Sequence, residues 1–123
     1  MPDNIATVRL SDTYAVAEGS IFATVFVGEA QRGRWTISVG NDDKGEGLGP
    51  QRINVGDGKA LAGATLVIEA LVNDTNPFTN MTSLRITLEG GPQPKTSSLQ
   101  HVVTSDGASV FYVARYLLDG SPV

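Results

Sequence analysis

The chain has 123 residues, 41% of them hydrophobic and 18% charged. That is enough apolar material for one buried core and too little charge for a disordered chain. A net charge of −4 provides no basic footprint for nucleic acid or an anionic membrane. The absence of cysteine excludes disulfides, thiolate zinc sites and cysteine nucleophiles.

The first four residues, Met-Pro-Asp-Asn, carry no basic segment followed by an apolar run, so no signal peptide is visible. The longest near-continuous apolar stretch, residues 64–72, is interrupted by Thr65 and Glu69 and is too short to cross a bilayer. A soluble chain without membrane insertion is expected. Its compartment is left unknown, with a cytoplasmic protein and a virion or cell-surface assembly both open.

In chain order, residues 5–10 read as a first strand. Residues 20–27, Ser-Ile-Phe-Ala-Thr-Val-Phe-Val, are β-branched or aromatic on both faces. They are expected to form a central strand covered on both sides or facing a partner. Trp35, Ile37 and Val39 alternate with Arg34, Thr36 and Ser38, the period of a half-buried strand. Residues 40–49 are rich in Gly, Asn and Asp and read as a mobile surface loop. A short strand is expected at residues 53–55. A single helical turn fits Lys59-Ala60-Leu61-Ala62, which Gly63 and the β-branched run after it stop.

Residues 64–72 form the next strand, with Leu66, Ile68 and Val72 on one face and Val67 and Leu71 on the other. A connection over residues 73–81 carries Asp74 and Asn76-Pro77-Phe78. In residues 82–89, Leu84, Ile86 and Leu88 alternate with Ser83, Arg85, Thr87 and Glu89, the clearest strand pattern in the chain. Residues 90–98 read as a second mobile loop. Residues 99–104 and 108–117 form a late pair, and Ser105-Asp106-Gly107 between them predicts a tight hairpin. Seven or eight short strands without a long helix predict an all-β fold. The expected form is an antiparallel β-sandwich, jelly-roll or immunoglobulin-like, as one domain over residues 1–123.

The motifs give little chemistry. Asp42, Asp43 and Glu46 offer oxygen ligands on a Gly-rich loop, as Ca²⁺ prefers, but Ile53 stands where an EF-hand loop starting at Asp42 needs its twelfth-position Glu. Asp74 could join these acids only if the two loops share an end of the sandwich. Gly56-Asp57-Gly58-Lys59 lacks the upstream Gly and downstream Ser or Thr of a phosphate loop. His101, the single histidine, lies in a strand pattern, and Gly-x-Ser-x-Gly is absent. It is expected to be a half-buried cross-strand neighbour.

Trp35, Tyr112 and Tyr116 are candidates for a sugar-stacking platform. The aromatics Phe22, Phe26 and Phe111 are candidates for an apolar protein interface. Residues 108–117 divide into two faces: Val110, Tyr112, Ala114 and Tyr116 on one, and Phe111, Val113, Arg115 and Leu117 on the other. One face must be core.

The expected function is a non-catalytic interaction or structural module that self-associates or serves as a subunit of a larger assembly. Its partner would be protein rather than nucleic acid, and it needs no cofactor. A carbohydrate-binding or Ca²⁺-dependent ligand module is the alternative. A small enzyme using His101 or an acid pair is the third reading.

Overall fold

The computed structural model describes residues 5–105 and 107–120. Among them nine strands and one helical turn follow in order: β1 (Ala6–Ala15), β2 (Ser20–Val27), β3 (Arg32–Val39), β4 (Asp42–Gly47), β5 (Gln51–Asp57), α1 (Gly58–Leu61), β6 (Thr65–Asn73), β7 (Met81–Glu89), β8 (Lys95–Val102) and β9 (Ser109–Asp119). They build a β-sandwich of a five-stranded sheet, β1-β9-β6-β3-β4, and a four-stranded sheet, β5-β2-β7-β8. The pairs are antiparallel except β1 with β9, which run parallel from Ala6↔Val110 to Ala15↔Asp119. The chain reverses direction at each connection. Loops 28–31, 48–50, 74–80 and 103–108 therefore gather at the end where β1 begins, here the near end. Loops 16–19, 40–41, 58–64 and 90–94 gather at the far end, with the close of β9.

Period-two patterning decides which side chains meet. Ile21, Ala23 and Val25 of β2 and Leu84, Ile86 and Leu88 of β7 point inward from the smaller sheet. Trp35, Ile37 and Val39 of β3, Leu66, Ile68, Ala70 and Val72 of β6, and Val110, Tyr112, Ala114, Tyr116 and Leu118 of β9 answer from the larger one. These residues form one continuous cluster. Each large side chain withdrawn from water contributes roughly 1.5–3 kcal/mol before entropy is counted. On the side where β1 meets β8, Lys95 Nζ spans the two sheets. It bonds Asp12 Oδ2 at 2.9 Å and the Thr13 carbonyl at 3.2 Å. The Lys95 ammonium and the Thr13 amide hold the Asp12 carboxyl below its usual range.

Three expectations need correction. Residues 42–47 are not a mobile loop but the edge strand β4, paired with β3 from Trp35↔Gly47 to Val39↔Asp42. Main-chain hydrogen bonds need no apolar alternation, so a polar, Gly-rich edge strand leaves no periodic trace. The segment expected to be loop over residues 90–98 becomes strand at Lys95, where β8 pairs with β7. The Asp-Gly sequence marks a turn, with Gly107 at φ 82°, but not a hairpin. β8 pairs with β7 and β9 with β6 and β1, so residues 103–108 cross between sheets. Asp106 itself lies outside the described residues.

Candidate functional site

The proposed sugar platform does not exist on the surface. Trp35 is 1% exposed, and its indole Nε1 donates to the Gly49 carbonyl at 2.9 Å. Tyr112 and Tyr116 are fully buried. Their ring faces pack in the core, because the face shared with Val110 and Ala114 is the inward one. The two hydroxyls differ. Tyr112 Oη lies 2.6 Å from Thr82 Oγ1, which donates to the His101 carbonyl at 2.7 Å. Tyr116 Oη faces Ser97, yet no hydrogen bond of good geometry closes on it. Removing a satisfied bond costs about 1 kcal/mol, whereas removing an unsatisfied buried hydroxyl costs little or is favourable. Tyr112→Phe is therefore expected to lower stability by that amount. Tyr116→Phe is expected to leave stability unchanged or raise it, as urea denaturation of the pair would read.

Burial pushes both tyrosine pKa values up. The native state then keeps its phenolic protons to higher pH than the unfolded chain. Their contribution is complete below the ordinary tyrosine value of 10.0 and is lost as pH rises beyond it.

The acidic residues do not converge. Asp42 opens β4 beside Val39, Asp43 Oδ1 accepts the Gly45 amide at 3.2 Å, and Glu46 pairs with Arg34 at 3.6 Å. Asp74 lies at the near end and Asp42 at the far end, so the two loops do not share a site. Among the described residues no three of His, Asp and Glu gather as a metal would require. His101 is half-buried on β8 opposite Thr82, the cross-strand neighbour that its pattern predicts.

The three phenylalanines face different ways. Phe22 and Phe26 stand on the outer face of the four-stranded sheet. The Arg52 guanidinium lies 3.7 Å above the Phe22 ring and that of Arg85 lies 5.5 Å above Phe26. Phe111 stands on the outer face of the five-stranded sheet, opposite Leu71. They do not make one patch.

A different grouping emerges from the tertiary structure. Among the described residues the exposed large apolar side chains are Ile5, Phe26, Leu48, Leu71, Phe78, Val102 and Leu117. All but Leu117 lie at the near end or in the strand turns beside it: before β1, late in β2, after β4, late in β6, in loop 74–80 and at the end of β8. Phe78 protrudes furthest, at 93% exposure, and Leu48 follows at 75%.

The loop that carries Phe78 is braced. The buried Gln31 amide reaches into it: Nε2 donates to Asp74 Oδ1 at 2.8 Å and to the Met81 carbonyl at 3.0 Å. Gln31 Oε1 accepts the Thr75 and Asn76 amides at 2.7 and 2.8 Å. Asn76 Oδ1 accepts the Phe78 amide at 3.0 Å, and Asn76 Nδ2 donates to the Glu29 carbonyl at 3.0 Å. Glu29 and Ala30 hold φ of 61° and 54°, a left-handed turn that non-glycine residues adopt at a cost of order 1 kcal/mol each. Strain and a bonded brace thus meet beneath the most exposed aromatic ring. The sequence signal was a large aromatic within a polar turn, Asn76-Pro77-Phe78; its exposure depends on the brace.

Charged side chains of both signs stand at each end. Arg32 and Arg34 lie at the start of β3, Arg34 paired with Glu46, with Glu29 and the buried Asp74 at the same end. The far end carries Glu18, Asp42, Asp43, Asp57 and Asp119 with Lys59, while Glu89 pairs with Arg52 and Lys95 with Asp12. A cavity of about 490 Å³ opens there between the end of β1, the α1 turn and the close of β9, within the roughly 300–1,000 Å³ range of sites that take small organic groups. Its walls include Ala17, Ala62 and Pro92, and its charged members are Glu18, Lys59 and Asp119. Compared with models of known protein families, with curated proteins and with solved structures, this chain matches none.

Proposed function

We propose that this β-sandwich is a non-catalytic interaction or structural module that associates with further copies of itself within a larger assembly. The gathering of Ile5, Leu48, Leu71, Phe78 and Val102 at one end carries this reading. Large apolar side chains left exposed at one end of a domain favour a contact site there. A protein interface also favours aromatic anchors such as Phe78, held in place before binding so that little ordering entropy is lost. The Phe22 and Phe26 faces support it less, because each ring is already covered by a guanidinium.

The test is the native mass from size-exclusion chromatography with light scattering, run with Ca²⁺ and then with chelator. Mass above the 12.9 kDa of one chain, equal in both buffers and rising with protein concentration, is the expected result. A monomer at every concentration would overturn the proposal. A mass that followed Ca²⁺ would transfer the function to a ligand-dependent module using Asp42, Asp43 and Glu46.

A further inference from the structure

We infer that β1 is an assembly edge, and that it pairs antiparallel with β1 of a second copy about a twofold axis at Arg9. This rests on the self-association proposed above but adds a lateral contact that does not use the near-end side chains. The two sheets end in the edge strands β1, β4, β5 and β8. Three of these are blunted against the addition of a strand. β4 is short and Gly-rich, and its pairing shifts register between Ile37 and Ser38. β5 follows Pro50, and its pairing shifts between Ile21 and Phe22. β8 follows Pro94 and opens on Lys95. β1 differs: Ala6–Ala15 keep one register with β9 and contain no Pro, Gly or Lys.

The phase of the β1 main chain is set by the Val16 amide, which donates to the Asp119 carbonyl at 2.9 Å. Alternate residues of a strand bond to a parallel neighbour. Even-numbered residues of β1 therefore bond to β9, and odd-numbered ones turn their amides and carbonyls to the free edge. Thr13 follows that rule. Its amide donates to Asp12 Oδ1 at 2.8 Å, and its carbonyl accepts from Lys95 Nζ at 3.2 Å. That cap closes the far half of the edge. In the near half, the outward amides and carbonyls of Thr7, Arg9 and Ser11 meet no partner among the described residues.

The core is open at the same place. Ala6, Val8 and Leu10 point inward and pack on the core, yet each is only half-buried. A strand laid along β1 covers them if it alternates apolar and polar residues in the same phase. β1 of a second copy does so, with Val8 and Leu10 between Thr7, Arg9 and Ser11. A twofold axis at Arg9 sets Thr7 opposite Ser11 of the second copy, and Val8 opposite Leu10. The free main-chain groups of both chains then pair with one another, and both cores lie on one side of the joined sheet. The debit is Arg9, which faces its own equivalent on the solvent side, a like-charge pair that weakens the contact.

Phe78→Ser, at a position 93% exposed, removes the largest near-end anchor and leaves β1 intact. In that background native mass is expected to reach a dimer of twice 12.9 kDa as concentration rises. Adding Ser11→Pro should return it to one chain. The Ser11 amide points outward, so proline there removes an edge donor and leaves the β9 ladder unbroken. Adding Arg9→Thr instead should lower the dissociation constant about two- to fivefold, because the like charges are gone. Salt should strengthen the dimer that keeps Arg9 and leave the Arg9→Thr dimer unchanged.

Hydrogen exchange reads the same contact without a substitution in β1, and decides the matter if Ser11→Pro unfolds. The amides of Val8 and Leu10 should exchange slowly at every concentration. Those of Arg9 and Ser11 should be fast in dilute protein and slow in concentrated protein. Equal exchange of Arg9 and Ser11 at both concentrations would overturn the edge contact, as would a folded Ser11→Pro variant that dimerises undiminished. A Phe78→Ser chain that stays monomeric while the parent associates would overturn it too, leaving self-association through the near end standing. A parent that is monomeric throughout would overturn both.

Discussion

Replacing Gly90 with alanine is expected to destabilise the sandwich by about 3 kcal/mol or more, from backbone strain and overpacking together. Gly90 follows β7 directly and holds φ at 105°, where side chains are rarely found. A β-carbon there would collide with the Ser20 carbonyl oxygen and stand 3.1 Å from Ile21 Cα. Ser20 and Ile21 open β2, the strand that β7 pairs with through Phe22↔Glu89. The neighbour is backbone rather than a flexible side chain, so relief requires β2 and β7 to part just where Ile21 and Leu88 enter the core. Urea denaturation should show a lower midpoint with little change in slope. Gly49→Ala is the control: nothing stands within 4 Å of the added carbon, and a shift within about 0.5 kcal/mol is expected.

Gln31→Ala should cost about 2–4 kcal/mol and loosen loop 74–80, since several partly buried groups lose their partner together. The Gln31 oxygen serves the Thr75 and Asn76 amides, and its nitrogen serves Asp74 and two main-chain carbonyls. Alanine supplies neither. Limited proteolysis is expected to cut within residues 74–80 well before it cuts elsewhere, while the parent resists. Gln31→Glu separates the two roles. It keeps the acceptors but places a carboxylate where a donor met Asp74 Oδ1, so like charges face each other. Its destabilisation should be larger at neutral pH and shrink as pH falls and one carboxylate takes a proton. Equal loss at both pH values would show that the donor role of Gln31 is unimportant. Loss of the brace should also weaken association, because Phe78 would then have to be ordered on binding.

Much of the architecture was legible from the sequence because strand alternation is a local signal. Leu84, Ile86 and Leu88 against Ser83, Arg85 and Thr87 announce one buried face and one open face. The same rule separates Tyr112 and Tyr116 from Phe111 and Leu117. Alternation identifies two faces without saying which one turns inward. On that choice Trp35, Tyr112 and Tyr116 passed from candidate platform to core. Nor does it register a strand like β4, which pairs with β3 from Trp35↔Gly47 to Val39↔Asp42 without an apolar face of its own.

The sequence by itself determined that the chain is all-β, which residues share a face, and where the single helical turn falls. These follow from local backbone preference and period. The tertiary structure decided the strand order, the parallel pairing of β1 with β9, the crossing of residues 103–108 between sheets, and the meeting of Gln31 with Asp74. Those features join residues far apart in the chain, and the choice among such pairings is made by the packing of the whole core. The polarity of the molecule belongs to the same class: Phe78, Leu48 and Val102 are scattered in sequence, and only the alternating direction of the strands brings them to one end.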